Sequence, residues 1–320
     1  MPEVTLVIVS YNTRELTLQA VAAARQAAAG LDAVVLVADN GSTDGTERAV
    51  RSTFPCVEML GNPDNPGYGM AINRAAAGRP IPYLCALNAD VFLRPDSLVT
   101  LWRFLAAHPE CCMVGPSLAG PDGTPQASCK RFPTLGFALG ELFAIHALLP
   151  RNRWVRRFYY GDRELSAPAQ VETVSGAAMF IRGEAFRRVG GFDEGFRMYF
   201  EETDLCRRLR DAGFAIAFCP EARAVHWHGA STIQTSVRHV EYYLSYVRYF
   251  CKHHGPGAAR LLAAAIAVST AGRMLGLLVK HPPLSRRRAA VLGPKLAACR
   301  RLLGALRGSA TGRRPAEAHP

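Results

Sequence analysis

Glu201, Glu202 and Asp204 stand within four residues of one another, in the run Tyr199-Phe200-Glu201-Glu202-Thr203-Asp204-Leu205. A carboxylate cluster of this kind can hold a general base beside a bound cation. Two further acidic positions lie far upstream: Asp39, and Asp90 in Asn88-Ala89-Asp90. Each follows an apolar run, so three distant segments are expected to converge on one active site. The same cluster also suits a helix start. Acids in the first turn and Arg207, Arg208 and Arg210 further along complement the helix dipole, and Glu201 and Asp204, three apart, share a face. The cluster alone leaves both purposes open.

The elements that must position these groups alternate between two periods. Val4–Ser10, Ala33–Ala38, Cys56–Leu60 and Tyr83–Leu87 read as strands. Between them lie helical patterns: Thr13 to about Ala29, a short helix capped by Asp44, Gly69–Ala77, and then Pro95–Ala107. Such alternation predicts an α/β fold, a Rossmann-like and mostly parallel sheet flanked by helices. Ligands in such sheets bind beyond the carboxyl ends of the strands. Ser10, Asp39, Asn88 and Asp90 all fall there. Residues 117–170 mix Pro, Gly and Arg with aromatics and read as a long insertion. Val171–Ile181 is again apolar, and Phe214–Phe218 and Ala222–His226 read as two separate strands.

With 320 residues, 49% of them hydrophobic, the chain can bury a sizeable core, which excludes wholesale disorder. Nine cysteines without a Cys-x-x-Cys pair predict buried, reduced thiols in a cytoplasmic protein rather than a zinc site. The opening residues read as a first strand, not a signal peptide. The net charge of +12 is unevenly placed: Arg238–Pro320 carries fifteen Lys and Arg against two acids, a net +13, and the preceding body is near neutral at −1. An anionic partner for this tail is expected, membrane lipid or nucleic acid. No recognition motif for nucleic acid accompanies the charge. Residues 258–279 are rich in Ala and Leu, but Arg260 and Arg273 leave only 12 uncharged residues between them, short of the ~20 of a spanning helix. With Arg286-Arg287-Arg288 following, residues 237–320 are expected to form a helical basic tail lying in the membrane interface, peripherally at the inner face of the plasma membrane.

An ordered series of motifs spans residues 4–235. Val7-Ile8-Val9-Ser10-Tyr11-Asn12 is followed by Asp39-Asn40-Gly41-Ser42-Thr43-Asp44-Gly45-Thr46 and by Asn65-Pro66-Gly67-Tyr68-Gly69-Met70-Ala71-Ile72-Asn73. Leu87-Asn88-Ala89-Asp90, Gly190-Gly191-Phe192-Asp193-Glu194 and the carboxylate run complete it. The series resembles family 2 glycosyltransferases of the GT-A fold, in their bacterial rhamnosyltransferase-like branch. The resemblance implies a catalytic domain over residues 1–236, with 117–170 as a variable acceptor-side insertion.

It also implies roles. Asp39 would contact the nucleotide base, with Ser10 and Asn12 in the same pocket and Asn65, Gly67, Asn73 and Asn88 near the nucleotide and its phosphates. Asp90 would bind a divalent cation, Mg²⁺ or Mn²⁺, in a motif whose first acid is here Asn88, so substrate phosphates would complete the shell. His226, or else His228, in His226-Trp227-His228-Gly229-Ala230-Ser231 resembles the family's histidine near the metal. Glu202 sits where the family has its general base, usually Asp, with Glu201 and Asp204 as alternatives. The implied reaction is inverting transfer from a nucleotide sugar, dTDP-rhamnose or a UDP-sugar, to a glycan or polyprenyl-diphosphate-linked acceptor. A nucleotidyltransferase would carry a basic Gly-rich phosphate loop near the first strand, and Ser10-Tyr11-Asn12-Thr13 is not one. A non-catalytic nucleotide-sugar-binding member is the other alternative.

Overall fold

Val4–Ser10 is apolar on both faces, and such a strand is stable only between two packed layers. The computed structural model describes residues 3–143, 153–163, 165–227, 235–280, 297, 299–304 and 306. Among them the element order is β1 (Val4–Ser10), α1 (Arg14–Ala27), β2 (Ala33–Asp39), α2 (Thr46–Thr53), β3 (Glu58–Gly61), α3 (Tyr68–Ala76), β4 (Tyr83–Asn88), β5 (Val91–Leu93), α4 (Ser97–Ala107), β6 (Cys111–Ala119), β7 (Cys129–Lys130), α5 (Leu135–Leu142), α6 (Arg153–Phe158), β8 (Ala169–Val171), β9 (Thr173–Val174), β10 (Ala178–Arg182), α7 (Gly183–Arg188), α8 (Glu201–Asp211), β11 (Ala215–His226) and α9 (Thr235–Lys280). The chain divides into two units. The first holds residues 1–132, 156–197 and 201–232; the second holds 133–155, 198–200 and 233–320.

In the first unit, nine of the described strands form one mixed sheet in the order β3-β2-β1-β4-β10-β6-β11-β5, with β8 on β11, and β7 and β9 form a separate two-stranded sheet. The expected parallel half is present: β1 pairs in parallel with both β2 and β4, and β2 with β3. The register aligns Ser10 with Asp39 and Val9 with Asn88, so three expected site residues end on one edge of the sheet. Val4, Leu6 and Ile8 enter one buried layer with α1 and α4, and Val7 enters the other with α3 and α8. Helix α1 follows the same logic: its buried Thr17, Ala20, Val21, Ala24 and Ala27 recur at helical spacing.

Some expectations need correction. Ala215–His226 is one strand, not two. It carries a register irregularity between Cys219 and Arg223, where Pro220 removes a ladder donor without ending the strand. The apolar run from residue 171 is divided among β8, β9 and β10. Residues 117–170 are not a single insertion: Ser117–Ala119 finish β6, and Cys129–Lys130 pair with Thr173–Val174. Thr13 occupies the N-cap position of α1 without a side-chain cap bond, and Asp44 accepts from the Arg14 amide instead. The cap position of α2 is Gly45, with Asp44 accepting from Thr46 one residue further in. All nine cysteines are free, and burial pushes the Cys85, Cys112 and Cys206 thiols up to about 12, which keeps them unreactive.

In the second unit, α9 is two helices meeting at Gly255, whose φ of 86° no helix accommodates. Tyr246, Tyr249 and Phe250 are buried, and Phe200 stacks on Tyr246 at 4.5 Å between ring centroids. Tyr199 and Phe200 both take left-handed backbone, φ 65° and 64°, and the Ser245 hydroxyl donates to the Met198 carbonyl. Beyond Gly255, Leu262 and Ile266 are buried and Leu261, Val268 and Leu275 are exposed. By length and composition alone, His239–Gly276 is long and apolar enough to cross a membrane. His228, Ser231 and Arg286-Arg287-Arg288 lie outside the described residues.

Candidate active site

Strand pairing builds the acidic centre. β5 follows β4 after a two-residue turn and pairs antiparallel with the end of β11, His226 opposite Val91. The Trp227 amide donates to the Asp90 carbonyl at 2.9 Å. This register brings His226 Nε2 to 3.6 Å from Asp90 Oδ1, with both residues buried. The other ring nitrogen, Nδ1, lies 2.8 Å from Gln126 Oε1.

The carboxylate run does begin a helix, and it does more. Asp204 is fully buried and paired with Arg208 Nε at 2.7 Å, one turn along α8. Of the three carboxylates, Asp204 is the one paired within its own helix. Glu202 Oε1 accepts from Lys130 Nζ at 2.9 Å and from the Thr203 hydroxyl at 2.9 Å. Burial drives the Glu202 carboxyl upward, but Lys130 outweighs it and holds the group below its ordinary value. Glu201 is the opposite case. Burial, then the neighbouring Glu202 charge, push it up to about 8, and its buried Oε2 has no hydrogen-bond partner. Burial and the Lys130 charge thus push the two neighbouring carboxyls in opposite directions, Glu201 up and Glu202 down. Gly176 leaves room for this arrangement, since a Cβ there would stand 3.2 Å from Glu202 Cβ.

Tyr68 ties the two acidic groups together. Its hydroxyl donates to the Gly176 carbonyl at 2.8 Å. Burial first, and then negative charge on Glu201, Glu202 and Asp90 among its neighbours, raise its phenol well above the ordinary value. Tyr68 therefore lies within electrostatic reach of Glu201, Glu202 and Asp90.

The residues expected around a nucleotide are partly engaged with one another. Ser10 is buried, its hydroxyl 2.9 Å from that of Thr17. Asp39 accepts from the Ser42 amide and hydroxyl, and Asn12, at φ 49°, binds Ser42 and Thr43 across the same turn. Ser10, Asn12 and Asp39 therefore share one turn-lined edge. Asn65, at φ 43°, precedes Gly67, where a Cβ would lie 2.2 Å from the Arg197 carbonyl, so the chain passes too closely for any side chain. Asn73 stands apart: its amide donates to the Phe192 carbonyl and accepts from the Phe192 amide, both at 2.9 Å. It fastens the Gly190-Gly191-Phe192 turn, a role its spacing does not suggest. Asn88 ends β4 half-buried, its amide donating to the Ala177 carbonyl.

Neither Gln126 nor Lys130 stands out in the sequence. The one local signal is Pro121-Asp122-Gly123, a turn dipeptide pair that returns the chain along β6. The Ala119–Pro125 bridge and the Gln126 amide donating to the Leu118 carbonyl show that return. Among the described residues no group of three or more His, Cys, Asp and Glu is gathered for a metal.

Comparison with known proteins agrees with this geometry. A model of glycosyl transferase family 2 matches residues 5–190, and one of glycosyl transferase family group 2 matches residues 146–292. The N-acetylglucosaminyl-diphospho-decaprenol L-rhamnosyltransferase of Mycobacterium tuberculosis is 34% identical over 221 residues, covering 64% of this chain and 70% of that protein. The rhamnosyltransferase WbbL of Escherichia coli K12 is 27% identical over 150 residues, 45% of this chain and 52% of its own. Among solved structures, the mannosyltransferase PcManGT of Pyrobaculum calidifontis, in complex with GDP-Man and Mn²⁺, superposes with a TM-score of 0.55 at 18% identity. That match covers 97% of this chain and 84% of the other, and it shows the fold. The chain belongs to glycosyl transferase family 2 and is a glycosyltransferase built on the GT-A fold.

Proposed function

We propose that the chain moves rhamnose from dTDP-rhamnose to a polyprenyl-diphosphate-linked glycan in cell-surface polysaccharide synthesis, with inversion at the anomeric carbon. The observation that carries the catalytic part is the Lys130–Glu202 pair. An acceptor hydroxyl is a poor nucleophile until its proton has somewhere to go. Lys130 and Thr203 hold Glu202 ionised through Oε1, so Oε2 is the oxygen that takes the proton. The hydroxyl oxygen forms its bond to the anomeric carbon as the bond to the diphosphate breaks, and the nucleoside diphosphate leaves. Glu201, protonated beside Glu202, keeps a second negative charge away from that carboxylate.

Ser10, Asn12, Asp39, Asn65, Gly67 and Asn88 are the residues proposed to line the nucleotide, at the strand ends where such sheets bind ligands. A divalent cation, Mg²⁺ or Mn²⁺, fits Asp90 and His226: one oxygen and one imidazole nitrogen 3.6 Å apart are close enough to touch the same ion. When bound it offsets the negative charge left on the departing diphosphate. With Asn88 in place of an acid, Asp90 would be the protein carboxylate holding the ion at this point, and donor phosphate oxygens would supply further ligands.

The sugar and acceptor rest on two of the relatives that are named as rhamnosyltransferases, one of them for a decaprenol-linked substrate. The basic tail supports a lipid-linked acceptor independently. Beyond Gly255, α9 buries Leu262 and Ile266 within its own unit and exposes Leu261, Val268 and Leu275 at seven-residue spacing, with Arg260 and Arg273 alongside. A helix with one face already packed suits the membrane interface better than a span. The proposal places the enzyme peripherally at the inner face of the plasma membrane.

The test is Glu202→Gln. Transfer should fall by about 10²–10⁴-fold while nucleotide affinity stays the same. Near-normal turnover would remove Glu202 as the base. A donor screen that follows nucleoside diphosphate release distinguishes dTDP-rhamnose from a UDP-sugar.

A further inference from the structure

We propose that Gln126 is a positioning residue that selects the imidazole tautomer of His226, so that Nε2 presents a lone pair to the Asp90 side. The proposal rests on the reading that Asp90 and His226 share a divalent cation. Two hydrogen bonds carry it. The Gln126 side-chain amide donates through Nε2 to the His226 backbone carbonyl at 2.9 Å. A carbonyl oxygen only accepts, so the amide cannot be turned over without setting two oxygens against each other. Oε1 is therefore the atom 2.8 Å from His226 Nδ1. Because Oε1 also only accepts, Nδ1 must carry the proton. A neutral imidazole has one N–H, and the lone pair falls on Nε2, 3.6 Å from Asp90 Oδ1. In the neutral imidazole, that lone pair beside the Asp90 carboxylate in a buried site is stabilised when a divalent cation takes the place that a proton on Nε2 would otherwise fill.

The segment is built to hold this amide still. The Gln126 backbone amide donates to the Leu118 carbonyl, and its backbone carbonyl accepts from the Ser128 hydroxyl, which in turn accepts from the Leu118 amide. The turn behind it is closed by Asp122, which accepts from the amide and hydroxyl of Thr124. Metal-binding imidazoles commonly have their second nitrogen fixed by such a partner. An amide in that role, rather than a carboxylate, adds no negative charge. The protein then contributes one carboxylate at this point, and the ion is shared with the donor diphosphate instead of being held tightly beforehand.

Gln126→Met and Gln126→Glu separate the possibilities. Long-range ¹H–¹⁵N spectra of histidine-labelled, metal-free protein read the tautomer, with His226 assigned by His226→Ala. Mn²⁺ affinity is read by the electron paramagnetic resonance of the free ion, with and without excess UDP or dTDP. In the unaltered protein His226 should be the Nδ1–H form. Gln126→Met should shift it toward Nε2–H and weaken Mn²⁺ by about 10–100-fold. Gln126→Glu keeps an acceptor at Nδ1 but sets an oxygen against the His226 carbonyl, so its tautomer and not its affinity is the readout: the Nδ1–H form should persist. Thermal unfolding shows which variants are folded, and Gln126→Glu decides the matter if Gln126→Met is not. Unchanged tautomer and affinity in Gln126→Met, or the Nε2–H form in Gln126→Glu, overturns the role of Gln126. Asp90→Asn with unchanged Mn²⁺ affinity overturns the cation site itself; loss in Asp90→Asn with none in Gln126→Met overturns only the role of Gln126.

Discussion

Lys130 Nζ lies 2.9 Å from Glu202 Oε1, and the Glu202 side chain keeps only 10% of its exposure. Four residues earlier on the same segment, Gln126 bonds both the ring and the backbone carbonyl of His226. One stretch of chain, Gln126 to Lys130, thus reaches both Glu202 and His226. Lys130→Met should leave Glu202 without its counter-charge, beside Glu201 in a buried site. The Glu202 pKa then rises, so the acidic limb of the pH–rate profile moves to higher pH and turnover at pH 7 falls. A full profile of kcat/KM checks this; an unshifted acidic limb would count against the pairing as a catalytic device.

Glu201 has its carboxyl pushed up to about 8, against an ordinary value of 4.5, by burial first and the Glu202 charge second. The folded state therefore binds more protons than the unfolded state between those values, and stability falls as pH rises across that window. Glu201→Gln mimics the protonated acid. It should be close to the unaltered protein at pH 5 and more stable than it at pH 8–9, by on the order of a few kcal/mol. Urea denaturation at pH 5, 7 and 9 reads the difference. A gap that does not widen with pH would show that Glu201 is ionised in the folded protein.

Asp204 is fully buried and paired with Arg208, which also donates to the Val189 carbonyl. Removing one partner of a buried pair leaves the other uncompensated, at a cost of about 3–5 kcal/mol. Arg208→Met and Asp204→Ala should each destabilise by about this amount in denaturant. In the fraction that remains folded, nucleotide affinity should be unchanged. A stable Asp204→Ala enzyme with no turnover would restore Asp204 as a candidate base.

The exposed line of Leu261, Val268 and Leu275 is predicted to enter the lipid interface. Replacing all three by Glu should abolish co-sedimentation with vesicles rich in anionic lipid, with little change in transfer to a soluble acceptor analogue. The substitutions are at exposed positions, so thermal stability should stay near that of the unaltered protein. Unaltered vesicle binding would place the membrane contact elsewhere in the chain.

Much of the molecule was legible in the sequence because it depends on local period and order. Apolar runs of strand length alternating with helical patterns specify β1 to β4 and their helices, since a strand buried on both faces has few other solutions. The order of short motifs identifies the family, and through that resemblance it points to Glu202, Asp90 and His226 as the proposed site. Tertiary structure decided which partner each acid meets. Three carboxylates within four residues look alike in sequence, yet one pairs with Arg208, one pairs with Lys130, and burial pushes the third, Glu201, upward. Ionisation in a buried site depends on which cation reaches it and how much water remains, and Lys130 comes from 72 residues away. Gln126 reaches His226 from 100 residues away for the same reason: a hydrogen bond across a sheet follows from strand register, which no local pattern encodes.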